Sequence, residues 1–181
     1  MYSRNSLSPT ARPSASSVST CRSVTVPADG EAQATVTCPS GTVSLGGGAV
    51  TAGSQTYQAI AASAPYGTNG WRAYLASAGS QSTDVIAAVV CAKKPAGWAQ
   101  VSSAYKSNPA GTATTVSVKC PAGMNVLGGG PFNSSSDPTV TIGLTASLSG
   151  LNGWNSTEDN SSSASESVDE WAVCAKAVKA S

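Results

Sequence analysis

The chain has 181 residues, only 10% of them charged, with ten Lys and Arg against nine Asp and Glu and no histidine. A formal charge of +1 gives no long-range attraction for nucleic acid or an anionic membrane surface, and without histidine no mechanism that needs an imidazole base is open. Hydrophobic residues make up 40%, but Ala and Val supply most of them and there is a single Phe, so the cores are expected to be small.

In chain order, residues 1–17 come first, rich in Ser, Pro and Arg with little to bury, and read as a flexible arm that a partner would have to hold. They lack the apolar stretch of a secretory leader. No apolar run in the chain approaches the roughly 18 residues of a membrane-spanning helix.

Beyond the arm the chain repeats itself. ATVTCPSGTVSLGGG at 34–48 returns as VSVKCPAGMNVLGGG at 116–130, an offset of 82 residues (38 to 120). Asn69-Gly70-Trp71 returns as Asn152-Gly153-Trp154, and VVCAKK as AVCAKA, at an offset of 83 (91 to 174). With PADGEAQATVTC from Pro27 returning as PAGTATTVSVKC from Pro109, four ordered blocks define two copies, residues 18–97 and 98–181, joined by a short link carrying Trp98 that is expected to lie at their seam. The first half carries six basic and three acidic side chains, the second four and six.

Period-two alternation runs through both copies, in Val36 and Cys38, in Val116, Val118 and Cys120, and in Val140, Ile142, Leu144, Ala146 and Leu148 on one expected face. Val85 to Cys91 is apolar on both faces and reads as a central strand. Helical spacing is absent, and Pro-Ala-Gly, Gly-Gly-Gly and Asn-Gly punctuate the strands. The fold class is all-β: two tandem small antiparallel β-sandwiches or partly open barrels, each of about six strands. The triplets Gly46 to Gly48 and Gly128 to Gly130 each end a strand without the frame of a phosphate loop, and read as a bulge or a close backbone approach.

Cys38 and Cys91 in the first copy have counterparts in Cys120 and Cys174 of the second, which predicts one disulfide within each copy. Each closes a loop of about 54 residues and stabilises by roughly 4 kcal/mol in the chain-entropy account. Cys21 has Ser103 at its counterpart position and is left unpaired. With neither CxxC nor histidine, no metal site and no cofactor are expected.

The ordered pattern CPxGxxxxGGG, then NGW, then VCA resembles a repeat module of secreted actinobacterial proteins and of structural or tail proteins of their phages. Cys38, Pro39, Gly41, Gly46 to Gly48, Asn69 to Trp71 and Cys91 carry it once, and Cys120, Pro121, Gly123, Gly128 to Gly130, Asn152 to Trp154 and Cys174 carry it again. These are scaffold residues, so the resemblance speaks to the fold and brings no catalytic set.

For chemistry, a carboxylate pair is the remaining catalytic device, and the acidic candidates cluster from Glu158 to Glu170. Their counterparts in the first copy are mostly apolar or Ser, so the stretch reads as a solvated loop and strand edge. Trp71 and Trp154 follow an Asn-Gly turn, where an aromatic ring either fills a core or stacks on a sugar or protein partner. With Tyr66 and Tyr74 they are the candidate binding residues. Sequons at Asn133, Asn155 and Asn160 matter only where the host glycosylates secreted proteins. The expected function is non-catalytic: a virion surface component, decoration, capsid-associated or tail, assembled with other protein subunits through its N-terminal arm. A secreted carbohydrate- or cell-wall-binding protein is the alternative, with a glycan as partner, and a glycosidase is the second alternative.

Overall fold

The computed structural model describes residues 17–52, 57–147 and 152–176; the expectations for residues 1–16 and Leu148 lie outside them. Among the described residues the chain is all-β without a helix. The first copy supplies β1 (Val18–Val26), β2 (Gly30–Thr37), β3 (Val43–Ala52), β4 (Gln58–Tyr66), β5 (Gly70–Ser77) and β6 (Thr83–Ala92). The second supplies β7 (Ala99–Ser102), β8 (Lys106–Asn108), β9 (Thr112–Lys119), β10 (Met124–Phe132), β11 (Val140–Ser147), β12 (Gly153–Asn160) and β13 (Glu166–Lys176). β7 and β8 together stand where β1 stands in the first copy.

Strand order repeats with the sequence. β1-β6-β3 is matched by β7-β13-β10, and β2-β5-β4 by β9-β12-β11. The sheets are not confined to one copy, however. β4 and β10 pair, so β2-β5-β4-β10-β13-β7 is one continuous sheet that crosses from the first copy into the second.

The repeated motif is a building unit with a physical reason for each residue. In CPxG the Thr42 amide donates to the Pro39 carbonyl at 3.1 Å, with Gly41 at φ 80°. Met124, Pro121 and Gly123 repeat the turn, with Gly123 at φ 76°. This is the type II arrangement, which calls for glycine at its third position. Asn69 and Asn152 then accept the amides of Cys38 and Cys120 through their carbonyls, both at 2.8 Å. The disulfides form as the repeat predicts, Cys38 to Cys91 and Cys120 to Cys174, with Cα separations of 5.6 and 5.8 Å.

The glycine triplets lie inside β3 and β10 rather than at strand ends, just past bulges at Leu45 and Leu127. The middle glycine of each receives the Trp of the NGW block: Trp71 lies over Gly47 and Trp154 over Gly129, where any Cβ would collide with the indole. A bulge between Ile142 and Leu144 also corrects the expected single apolar face of β11. Ile142 pairs with the buried Glu158, whereas Ala146 pairs with the half-buried Asn155 on the other side of β12.

The first copy's core is built from Val26, Val36, Trp71, Leu75, Val85, Val89 and the Cys38–Cys91 bridge, joined by Val173 from the second copy. Trp98 in the link packs against it and donates through Nε1 to the Ser44 carbonyl at 2.9 Å, at the seam as anticipated. The second copy's apolar cluster is much smaller: Val118, Val126, Ala172 and Cys174.

Candidate functional site

The second core is small because its equivalent positions have become polar. Leu75, Ala87, Val26 and Ala73 of the first copy correspond to Glu158, Glu170, Asn108 and Ser156, and all eight are fully buried. The expectation that the acidic stretch is solvated is therefore corrected for Glu158, Glu170 and Asp169: alternation along β12 and β13 turns Glu158 and Glu170 into the second copy, while Asp169, on the opposite face of β13, is buried beside Arg72 of the first copy. Glu158 Oε1 accepts from Asn108 and Asn133, both at 2.9 Å. Its Oε2 has no hydrogen-bond partner, and neither oxygen of Glu170 has one. Ser156 and the Trp171 and Gly130 backbone lie near enough to Glu170 to favour its charged form without completing a hydrogen bond.

Burial pushes the Glu170 carboxyl up to about 7, and Asp169 beside it pushes the same way. Burial also raises Glu158, with the two Asn side chains opposing. A glycosidase needs two carboxylates open to a substrate cleft. These two are sealed between sheets, both 0% exposed.

A second polar contact crosses the copies. Arg72 on β5 stacks 3.5 Å from the centroid of Phe132 on β10. Burial pulls its guanidinium below the ordinary value, and the field of Asp169, Tyr105 and Tyr66 works against that shift. Asp169 accepts from Trp171 Nε1 at 2.8 Å, and burial raises its carboxyl. These groups tie the copies together.

The concave surface lies where the two glycine triplets meet. Gly46 and Gly128 touch: a Cβ on Gly128 would be 2.8 Å from the Gly46 Cα, and one on Gly46 would be 3.5 Å from the Gly128 Cα. On one side of this contact β4 closes onto β10. Phe132 sits opposite Ala62, the Asn133 amide donates to the Ala61 carbonyl at 3.0 Å, and the Ser63 carbonyl takes the place of a Gly130 Cβ. On the other side the matching closure of β11 onto β3 is absent. Among the described strands β3 pairs only with β6 and β11 only with β12. Gly48, the counterpart of Gly130, has no described residue within 4 Å of a Cβ position.

The unmade half of the junction is a groove. One stretch, about 510 Å³, is lined by Leu45, Gly46, Ala88, Val90, Leu127 and Trp154, with Ser19 at its rim. The next, about 290 Å³, runs past Ala49, Ile60, Pro131, Ile142 and Thr145. Gly47, Gly129 and Trp154 line both, and among the described residues no charged side chain lines either. Beside it Val50 is 55%, Val90 39% and Leu127 43% exposed, whereas Val173, the counterpart of Val90, is 0% exposed.

The four candidate binding residues are not brought together. Trp71 takes the core role of its two readings and is no binding residue: it is 0% exposed, with Nε1 donating to Ser63 Oγ at 3.1 Å. Its counterpart Trp154 is half-buried in the groove, with Nε1 donating to Thr145 Oγ1 at 2.6 Å. Tyr66 is exposed near Arg72, away from the groove lining. Tyr74 is half-buried beside Glu31, and burial raises its phenol. Two of the three sequons lie inside the fold. Asn133 and Asn160 are buried and use their amides inside the core, out of reach of a glycan-transferring enzyme. The sequence reading missed the groove, although the duplicated triplet beside NGW was its signal.

Compared with known proteins, the chain matches no family model, no curated protein and no solved structure.

Proposed function

We propose that the chain is a non-catalytic structural subunit made of two tandem β-sandwich repeats, residues 18–97 and 98–181, whose copies assemble through the groove beside Gly46 and Gly128. The observation that carries this reading is the half-made junction. One apolar side of a near-symmetric contact is closed by β4 on β10, and the other is left open with Val50, Val90 and Leu127 in solvent. Contiguous exposed apolar surface next to free strand edges is characteristic of an interaction site. The nearly uncharged surface and two disulfides suit an oxidising setting outside cells, and within that setting we favour a virion surface component over a secreted monomer.

Light scattering on the full chain tests the assembly reading. Assembly that rises with concentration and is lost in Leu127→Lys supports it; monomers throughout contradict it. The glycan-binding reading keeps one observation, the half-buried Trp154 in an uncharged groove, where a ring could stack on a sugar. Glycan-array binding abolished by Trp154→Ala would favour it. Turnover of a glycoside lost in Glu158→Gln or Glu170→Gln would overturn the non-catalytic reading altogether.

A further inference from the structure

We propose that the groove is the docking slot for residues 1–16 of this chain, laid along the free edge of β3 as an extended segment. The inference rests on reading the groove as a docking site and names its occupant.

The chemistry of the slot comes first. Its lining is apolar and glycine-rich, without a charged side chain, and it is open to solvent along one side. Gly48 leaves room for a neighbouring backbone, and β3 has one edge unpaired among the described strands. The opposite half of the junction illustrates what such a slot accepts: an extended strand with small residues, Ala62 and Ser63 of β4, set against Phe132 and Gly130 of β10. A suitable occupant is therefore extended, apolar on one face and polar on the other, with small side chains.

Residues 7–16 have that pattern. In an extended chain alternate residues share a face. Leu7, Pro9, Ala11, Pro13 and Ala15 fall on one face, and Arg4, Ser6, Ser8, Thr10, Arg12, Ser14 and Ser16 on the other. The segment has no carboxylate, so its apolar face can enter the groove while both arginines stay in water. Pro9 and Pro13 lack an amide donor, which an added edge strand tolerates and an interior strand does not.

The segment also starts in the right place. It leads into Val18, and Ser19 is on the groove's rim. β1 and β3 flank β6, so a strand laid on the free edge of β3 lies three strand spacings, about 14 Å, from β1. Four or five extended residues, at roughly 3.3 Å each, span that distance and leave about eleven to lie in the slot. The same reach serves the groove of a neighbouring copy held close by.

Disulfide trapping in the full chain tests the inference. In a Cys21→Ser background, Leu127→Cys is combined in turn with Leu7→Cys, Ala11→Cys and Ala15→Cys, with Lys119→Cys on exposed β9 replacing Leu127→Cys as control. Docking raises the local concentration of the two thiols, so at least one groove pair should oxidise about tenfold or more faster than its control. Equal rates for all groove and control pairs would overturn the inference. A fast bond between chains supports both the occupant and the assembly reading. A fast bond within one chain supports the occupant and removes the surface on which the assembly reading stands.

Discussion

Gly46 and Gly128 occupy the same place in the two copies and meet backbone to backbone, with 2.8 Å from a Gly128 Cβ position to the Gly46 Cα. A methyl group on Gly128 forces the copies apart, whereas one on Gly46 would make an ordinary contact at 3.5 Å. Gly128→Ala is expected to cost about 1–3 kcal/mol, in the range of an overpacked core. Gly48→Ala, where no described residue comes within 4 Å, leaves the contact between the copies untouched and should cost clearly less. Thermal unfolding of both variants checks the pair, and equal losses would mean that the contact does not hold the copies together.

The buried carboxylates make stability depend on pH in an unusual sense. Glu170 is raised from its ordinary 4.5 to about 7 in the folded chain, so between those values the folded state holds the proton more tightly than the unfolded state does. Stability is then greatest below about pH 4.5, falls as pH rises through 7 and levels off above it, by an amount on the order of 2–3 kcal/mol. Glu158 and Asp169 are raised too and act in the same direction. Glu170→Ala, which restores the residue found at Ala87, should flatten the profile and stabilise at pH 8. Denaturant titrations at pH 5 and pH 8 measure this, and a Glu170→Ala chain with the wild-type slope would sink the assignment.

The two bridges close loops of nearly equal length, 53 and 54 residues in separation, so the entropy they remove from the unfolded chain is nearly the same, roughly 4 kcal/mol each. What remains without them differs. The first copy keeps Trp71, Leu75 and a run of buried valines, whereas the second keeps a few valines around buried polar groups. Replacing Cys120 and Cys174 by Ala should therefore unfold the second copy in mild denaturant, while the Cys38 and Cys91 replacement leaves its copy folded. Tryptic cleavage sites mapped on each variant would decide it, and greater sensitivity of the first copy would contradict the account.

Trp71 and Trp154 share a motif and differ in role. Trp71→Ala removes a fully buried indole and should cost about 3–5 kcal/mol. Trp154→Ala removes a half-buried one, with a smaller loss of stability but a widened groove and weakened assembly. Unfolding curves read beside light scattering separate the two, and a Trp154→Ala chain that assembles normally would remove this residue from the site.

Much of the fold was legible in the sequence because its rules are local. The two offsets located both bridges, Val85 to Cys91 announced the central strand β6, and each glycine triplet marked a close approach. The inward turn of Glu158 and Glu170 was hidden because their stretch is Ser-rich and acidic, and the polar signal outweighed the alternation of Ser156, Glu158 and Asn160 along one face. Only comparison with Ala73, Leu75 and Ser77 in the first copy exposes that face as interior. The groove was beyond reach because it arises from how two copies meet: β4 finds β10 while β11 leaves β3 free. No single copy encodes that asymmetry.

Hydrogen exchange along β3 tests most directly whether the open half of the junction is the docking surface. Amides of Gly46 to Val50 on the free edge should exchange more slowly as the full chain is concentrated and assembles, while the outer edges of β2 and β9 keep their rates. Protection that appears on β2 or β9 instead, or assembly with β3 exchange unchanged, would contradict the account.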